Sequence, residues 1–219
     1  LLDFRKLDLH GLRYNPSYGD IISFIKKVFD NFSDSFQKKN ITYKFKSGVK
    51  QFNQNFDHEK LQKIMMNLLS NALKFTPENG KVEVLVDVTE EDPDEQQMIV
   101  ISVKDNGVGI LDEEKEKIFE RFYQSQNHKE LGVSGSGIGL NLVREMVNLH
   151  DGTITVESEK DKGSVFIVSL PVRQGEVQED ETRKIAEKTA SPEDEPVSEI
   201  EKRESKKVVL LVEDNLELR

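Results

Sequence analysis

The chain has 219 residues, of which 36% are hydrophobic and 33% charged, enough apolar content for one core with charged segments left outside it. Its net charge of -10 argues against nucleic acid or an anionic membrane surface as a partner, because contacts to phosphate need clustered Lys and Arg. The absence of cysteine rules out disulfides and thiolate zinc sites and fits a cytoplasmic domain, and the four histidines show no metal-ligand spacing.

The opening LLDFRKLD places Leu1, Leu2, Phe4 and Leu7 as the last turns of an arriving helix would, and it lacks the charged start and apolar core of a signal peptide. No apolar run approaches the length of a membrane span. LHGLRYNP, with Gly11 and Pro16, reads as a turn or short strand. DIISFIKKVFDNFSDSF repeats Ile21, Ile22, Ile25, Val28, Phe29, Phe32 and Phe36 at helical intervals, and ITYKFKS alternates as a strand does. Asp57 is a natural N-cap for EKLQKIMMNLLSNALKF, which stops against Thr76-Pro77 and Asn79-Gly80.

KVEVLVDV and MIVISVKD are β-branched runs joined by the polar turn EEDPDEQQ, and GTITVESE and SVFIVSLP form a second pair around KDKG. Between the pairs lie a glycine turn, a short helix near EKIFERF, a glycine-bearing loop and a helix from about Leu140 to His150. This order predicts an α/β fold, an α+β two-layer sandwich in which one sheet is covered on one face by helices. Beyond Pro171 the chain turns rich in Glu and Lys and poor in large apolar residues, so 173–206 reads as a charged linker. The end, VVLLVEDN, carries a buried-strand signature too short to fold alone.

In NLLSNALKF, Asn67, Asn71 and Lys74 at i, i+4 and i+7 share one helix face, opposite Leu61, Ile64, Met65, Leu68 and Ala72. Two Asn in such a stripe by themselves suit a loop cap or a water-facing position, or else oxygen ligation of Mg²⁺ beside nucleotide phosphates. DNGVGI puts Asp105 at a strand end before two glycines, where its carboxylate suits a purine amino group or an ordinary turn. SGSGIGL sets Gly135, Gly137 and Gly139 ahead of a helix whose N-terminus favours anions. It fits neither the dinucleotide pattern nor the P-loop, so a different phosphate-binding architecture is required.

Together these segments resemble the ATP-binding domain of two-component sensor histidine kinases, in the superfamily that includes gyrase, the Hsp90 chaperones and MutL. NLLSNALKFTP is similar to the family's N box, DNGVGI to its first glycine box, IFERFYQ to its F box and GSGIGL to its second glycine box. The resemblance implies a Bergerat-type ATP-binding fold with a mixed, mostly antiparallel sheet over residues 13–172. It also implies that residues 1–12 end a dimerisation and phosphoacceptor hairpin, and that 207–219 begin a receiver domain, with Glu213 and Asp214 as its Mg²⁺-binding acidic pair. The parent would then be a hybrid kinase, a homodimeric inner-membrane sensor, and this piece a monomer.

For the site, the resemblance implies that Asn71 ligates Mg²⁺ on the ATP phosphates with help from Asn67, and that Lys74 contacts phosphate. Asp105 would accept the adenine amino hydrogen, with Ser164 assisting through a water. Gly107 and Gly109 would let the backbone approach the base. Gly135, Gly137 and Gly139 would hinge a lid over about Tyr123 to Ser136, and Leu140 completes the nucleotide set. The hydrolytic relatives carry Glu where Asn67 stands, and an amide is no general base, so transfer to histidine fits better than hydrolysis. Gln124 replaces the Arg common after the F-box tyrosine, which leaves Arg121 as the F-box cation or as a helix-surface residue.

None of His10, His58, His128 and His150 has the phosphoacceptor context, so all four read as structural or solvent-facing and the acceptor as lying on the missing hairpin. The alternatives are an ATP-hydrolysing relative of the gyrase or chaperone type and a non-catalytic nucleotide-binding scaffold. The leading reading requires Asn71 and Asp105, distant in sequence, to converge on one ATP.

Overall fold

The computed structural model describes residues 13–90, 95–125 and 136–173. Its centre is a five-stranded sheet in the order β2 (Thr42–Ser47), β4 (Lys81–Val88), β5 (Met98–Asp105), β7 (Gly163–Pro171) and β6 (Thr153–Glu159). The β2–β4 pair is parallel and the other three pairs are antiparallel, so the sheet is mixed and mostly antiparallel. Alternation along β4, β5 and β7 turns Val82, Val84, Val86, Ile99, Ile101, Val103, Phe166, Val168 and Leu170 to a single buried face. Each such side chain contributes roughly 1.5–3 kcal/mol on burial, so the alternation fixes which face the helices cover.

The covering layer comprises α1 (Ile21–Asp30), α2 (Ser33–Lys38), α3 (His58–Phe75) and α4 (Gly139–Leu149). Asp20 caps α1, its carboxylate accepting the Ile22 N–H at 3.2 Å and the Phe52 N–H at 3.0 Å. α3 starts at Asp57, which accepts the Lys60 N–H at 3.0 Å, and buries Leu61, Ile64, Met65, Leu68, Leu69 and Ala72 against the sheet. Its last turn is held by Lys39, whose ammonium donates to the carbonyls of Leu73 at 2.9 Å and Lys74 at 3.3 Å. Residues 67–74 of α3 therefore lie between a packed core below and a fixed C-terminus.

Three local features differ from the sequence reading. The single helix expected over residues 20–36 is two, because the Phe32 N–H turns to the Phe29 carbonyl at 3.0 Å and breaks the i to i-4 ladder beside Asp30 and Asn31, both weak helix formers. The short helix near EKIFERF is a pair of 3-10 turns, Asp112–Glu114 and Lys117–Phe119, pinned by buried Ile118 and Phe119. A further strand, β3 (Asn53–Phe56), pairs antiparallel with β1 (Ser17–Asp20) as a separate ribbon. Among the described residues no helix is long and apolar enough to cross a membrane.

Candidate functional site

The strand register decides where the chemistry lies. Asp105, the last residue of β5, stands opposite Ser164 on β7, and the loop that leaves it crosses toward the C-terminal half of α3. A cavity of about 340 Å³ opens there. α3 contributes Asn67, Ser70, Asn71 and Lys74; β5 contributes Asp105; and Gly137, just before α4, joins Gly139 and Leu140 at its start. Ser164 and Phe166 come from β7, and Gly109 and Ile110 from the loop. Asn71 and Asp105 thus face one cavity, of a size suited to a small organic ligand.

Burial pushes the Asp105 carboxyl up to about 6, although the N–H groups of Gly107 and Ser164 hold it down. The Gly107 N–H donates to Asp105 Oδ1 at 2.8 Å. Gly107 itself does not line the cavity: a Cβ there would run into the Phe75 carbonyl, so its smallness lets the loop pack against the end of α3. Ser164 Oγ lies 3.0 Å from Ser158 Oγ, which donates to the Gly163 carbonyl at 2.7 Å and accepts the Ile110 N–H at 2.8 Å. These bonds tie the loop wall to the β6–β7 turn.

Asn67 donates its Nδ2 to the Lys63 carbonyl at 2.8 Å, which leaves Oδ1 turned toward α4, 2.7 Å from the place a Cβ on Gly139 would occupy. A side chain at 139 would have to displace this amide. Lys74 is partly desolvated, and burial lowers its ammonium pKa. α4 begins behind Ile138, which offers no side-chain cap, so the first-turn N–H groups have no side-chain acceptor and their partial positive charge favours an anion.

Arg121 is not on the cavity. Its Nε donates to Asn141 Oδ1 at 3.1 Å, and Asn141 Nδ2 donates to the Phe119 carbonyl at 3.0 Å, so Arg121 packs on the α4 surface. Gln124 does line the cavity, between Tyr123 and Ser125. Gly135, Glu213 and Asp214 lie outside the described residues, as do most of the expected lid, residues 1–12, the expected linker apart from Arg173, and the receiver segment. His58 stacks on Phe56 at 3.9 Å and meets Ser17 Oγ at 2.8 Å, and His150 is buried, while His10 and His128 are outside the description.

Several lining residues were not singled out from sequence. Ser70 lies on α3 between Asn67 and Asn71, and Phe166 is two residues beyond Ser164 on the same strand face, so period counting from the named residues would have found both. Ser125 and Ser136 fall within the expected lid and Ile118 opens IFERFYQ, but none of the three was assigned to the nucleotide.

Residues 56–174 match the family described as histidine kinase-, DNA gyrase B-, and HSP90-like ATPase. The chain is 36% identical over 184 residues to histidine kinase P4 of Formosa agariphila, covering 83% of this chain and 13% of that protein. It is 32% identical over 181 residues to the sensor histidine kinase WalK of Bacillus subtilis, covering 83% and 28%. The chain therefore spans less than a third of the length of either relative. Among solved structures, the catalytic domain of histidine kinase ThkA superposes with a TM-score of 0.62 at 27% identity, over 73% of this chain and 99% of that one. With more than half of its length inside the match, the chain belongs to the histidine kinase-, DNA gyrase B- and HSP90-like ATPase family.

Proposed function

We propose that residues 13–172 are the ATP-binding catalytic domain of a two-component histidine kinase, and that the cavity takes Mg-ATP as phosphoryl donor. The observation that carries this reading is the meeting of Asp105 and Asn71 on one cavity from separate parts of the chain. A carboxylate there accepts the adenine amino hydrogen beside the Gly107 and Ser164 N–H groups, and a ligand without that hydrogen covers it with one acceptor position unfilled, a loss on the scale of about 1–3 kcal/mol for such groups. Ser164 supports the same edge of the base through water.

At the phosphates, Lys74 and the uncapped start of α4 at Gly139 and Leu140, just beyond Gly137, supply positive charge. The donor set fits Mg²⁺: Asn67 has its nitrogen committed to the helix and its oxygen turned toward the start of α4, and Asn71 lies one turn on. No group of three or more His, Cys, Asp or Glu suited to a metal occurs among the described residues, so these amide oxygens and the phosphates would share the ion with water. When bound, Mg²⁺ supplies charge neutralisation on the phosphate oxygens. The chain's own residues hold the donor, orient its terminal phosphate and exclude water.

The acceptor is a histidine on a separate helical hairpin of the parent chain. Its neutral imidazole nitrogen forms a bond to the γ-phosphorus as the bond to the bridging oxygen breaks, and the electron pair leaves with ADP. Asn67 cannot take a proton from water, which favours this transfer over hydrolysis. We further assign 1–12 to the end of that hairpin, 173–206 to a linker, and 207–219 to the first strand of a receiver domain with Glu213 and Asp214 at its metal site. The parent is then a homodimeric hybrid kinase and inner-membrane sensor whose catalytic domain faces the cytoplasm.

Calorimetric titration tests the reading: ATP should bind more tightly with Mg²⁺ than without and far more tightly than GTP. Added hairpin domain should then acquire phosphohistidine from bound ATP. Tight ATP binding without phosphohistidine, alongside steady phosphate release abolished by Asn71→Ala, would replace the kinase reading with a hydrolytic one.

A further inference from the structure

Glu114 ends the first 3-10 turn, is 6% exposed and does not line the cavity. Among the described residues it has no ion pair, although a buried carboxylate costs several kcal/mol unless its charge is met by donors. Its donors are two hydroxyls: Tyr123 to Oε1 at 2.9 Å and Ser125 to Oε2 at 2.7 Å. Both donors line the cavity, and so does Gln124 between them.

The backbone leading into this wall is strained, with one short anchor and one long bond. Phe122 sits at φ 65°, a strained conformation for a bulky residue that costs about 1–2 kcal/mol, and its N–H is bound to the Gly137 carbonyl at 2.8 Å. The next N–H, of Tyr123, reaches the Glu120 carbonyl only at 3.4 Å. The two carboxylate bonds tie Tyr123 and Ser125 to the 3-10 turn, and because each fixes a hydroxyl direction they also set how the Tyr123 ring and the Ser125 side chain face the cavity.

We infer that Glu114 is a positioning residue of the nucleotide cavity, acting through Tyr123 and Ser125 to hold the wall 123–125 in the shape that Mg-ATP binds. The inference rests on reading the cavity as an ATP site. Glu114→Gln keeps the volume but replaces one acceptor oxygen by an NH₂ group, so one hydroxyl proton loses its partner in a buried place.

A thermodynamic cycle tests it, with the Kd of Mg-ATP measured for the unaltered chain, Glu114→Gln, the Tyr123→Phe/Ser125→Ala pair, and all three changes together. The Gln change should weaken binding roughly tenfold when both hydroxyls are present and less than about twofold when both are gone. An equal factor in the two backgrounds, or no change in either, overturns the inference and leaves the ATP reading standing. No binding by the unaltered chain removes the ATP reading itself. Should Glu114→Gln fail to fold, Glu114→Asp gives the same comparison, since a carboxylate one methylene short cannot reach both hydroxyls.

Discussion

Asn67 presents its carboxamide oxygen 2.7 Å from the point where a Cβ on Gly139 would stand, and its nitrogen is held by the Lys63 carbonyl at 2.8 Å. α3 and the start of α4 thus meet at the Asn67 amide itself. A methyl group at 139 must push a flexible side chain rather than backbone, so the clash is relieved by turning Asn67 away and breaking its bond to Lys63. Alanine at this first helical position gains part of the about 1 kcal/mol it holds over glycine in a helix interior, which offsets some of that cost in the fold. Gly139→Ala is therefore expected to melt within a few degrees of the parent yet bind Mg-ATP roughly tenfold more weakly, the loss of one ligand contact. Paired thermal melts and titrations read the two effects separately, and unchanged affinity would mean that Asn67 does not serve the ion.

Asp105 carries the clearest pH signature. Burial raises it from 3.8 to about 6, so the folded chain holds this proton more tightly than the unfolded one. Its contribution to stability is therefore complete below about pH 4 and lost as the pH rises through about 6, some 3 kcal/mol for two pKa units. Asp105→Asn keeps the shape and the acceptor for Gly107 but has no charge to desolvate. The variant should be more stable than the parent at pH 7.5, with the difference shrinking toward pH 4, and yet lose ATP binding by about a hundredfold. Urea titrations across that range and calorimetry at pH 7.5 check both halves. Equal stability at all pH values would show that the carboxylate is not under strain.

Much of this arrangement was legible before any coordinates. The polar stripe of α3, the strand that ends at Asp105 and the glycines before α4 each pair a periodic apolar pattern with side chains out of place in it, and the structure brings all three to one cavity. What stayed hidden depends on tertiary partners. NQNF has no apolar alternation, and it is a strand only because the β1 ribbon and the core side chain Phe56 hold it. Arg121 has a cation's chemistry but is claimed by Asn141, and Gly107 has a binding loop's composition but is pressed against Phe75. Glu114 looks like one acid among many in LDEEKEK, and only its burial sets it apart.

At the far end of α3, Asp57 serves three groups together. Its carboxylate accepts the Lys60 N–H at 3.0 Å and the Asn15 N–H at 2.8 Å and faces the Lys60 ammonium at 3.7 Å, with both side chains buried. Burial pushes its pKa up, but the two backbone N–H groups and Lys60 together outweigh that and hold it below the ordinary value. Asp57→Ala removes the cap and leaves a buried ammonium with less compensation, a cost of about 3 kcal/mol. Asp57→Asn retains the capping oxygen and should cost about half as much. None of these residues lines the cavity, so the affinity of the folded fraction for Mg-ATP should stay within twofold of the parent. A tenfold loss of affinity in either variant would show that the two ends of α3 are coupled.

His150, at the end of α4, provides a pH response opposite in sign to that of Asp105. Its Nδ1 lies 2.8 Å from the Met146 carbonyl, its ring meets Tyr14 edge-on at 4.9 Å, and its buried Nε2 has no hydrogen-bond partner. Burial lowers its pKa below 6.5, helped by Arg173 and Lys60 and opposed by the Met146 carbonyl and by Asp57. The unfolded chain therefore takes up a proton that the folded chain resists, and stability present above about pH 6.5 is lost as the pH falls through the folded pKa. Since Asp105 gains stability over part of the same range, the measurement belongs in the Asp105→Asn background. There the urea midpoint should fall between pH 7.5 and 5.5, and His150→Gln, which has no proton to take up, should lower the midpoint at pH 7.5 but flatten its pH dependence. A slope that survives the His150 change would place the titrating group elsewhere.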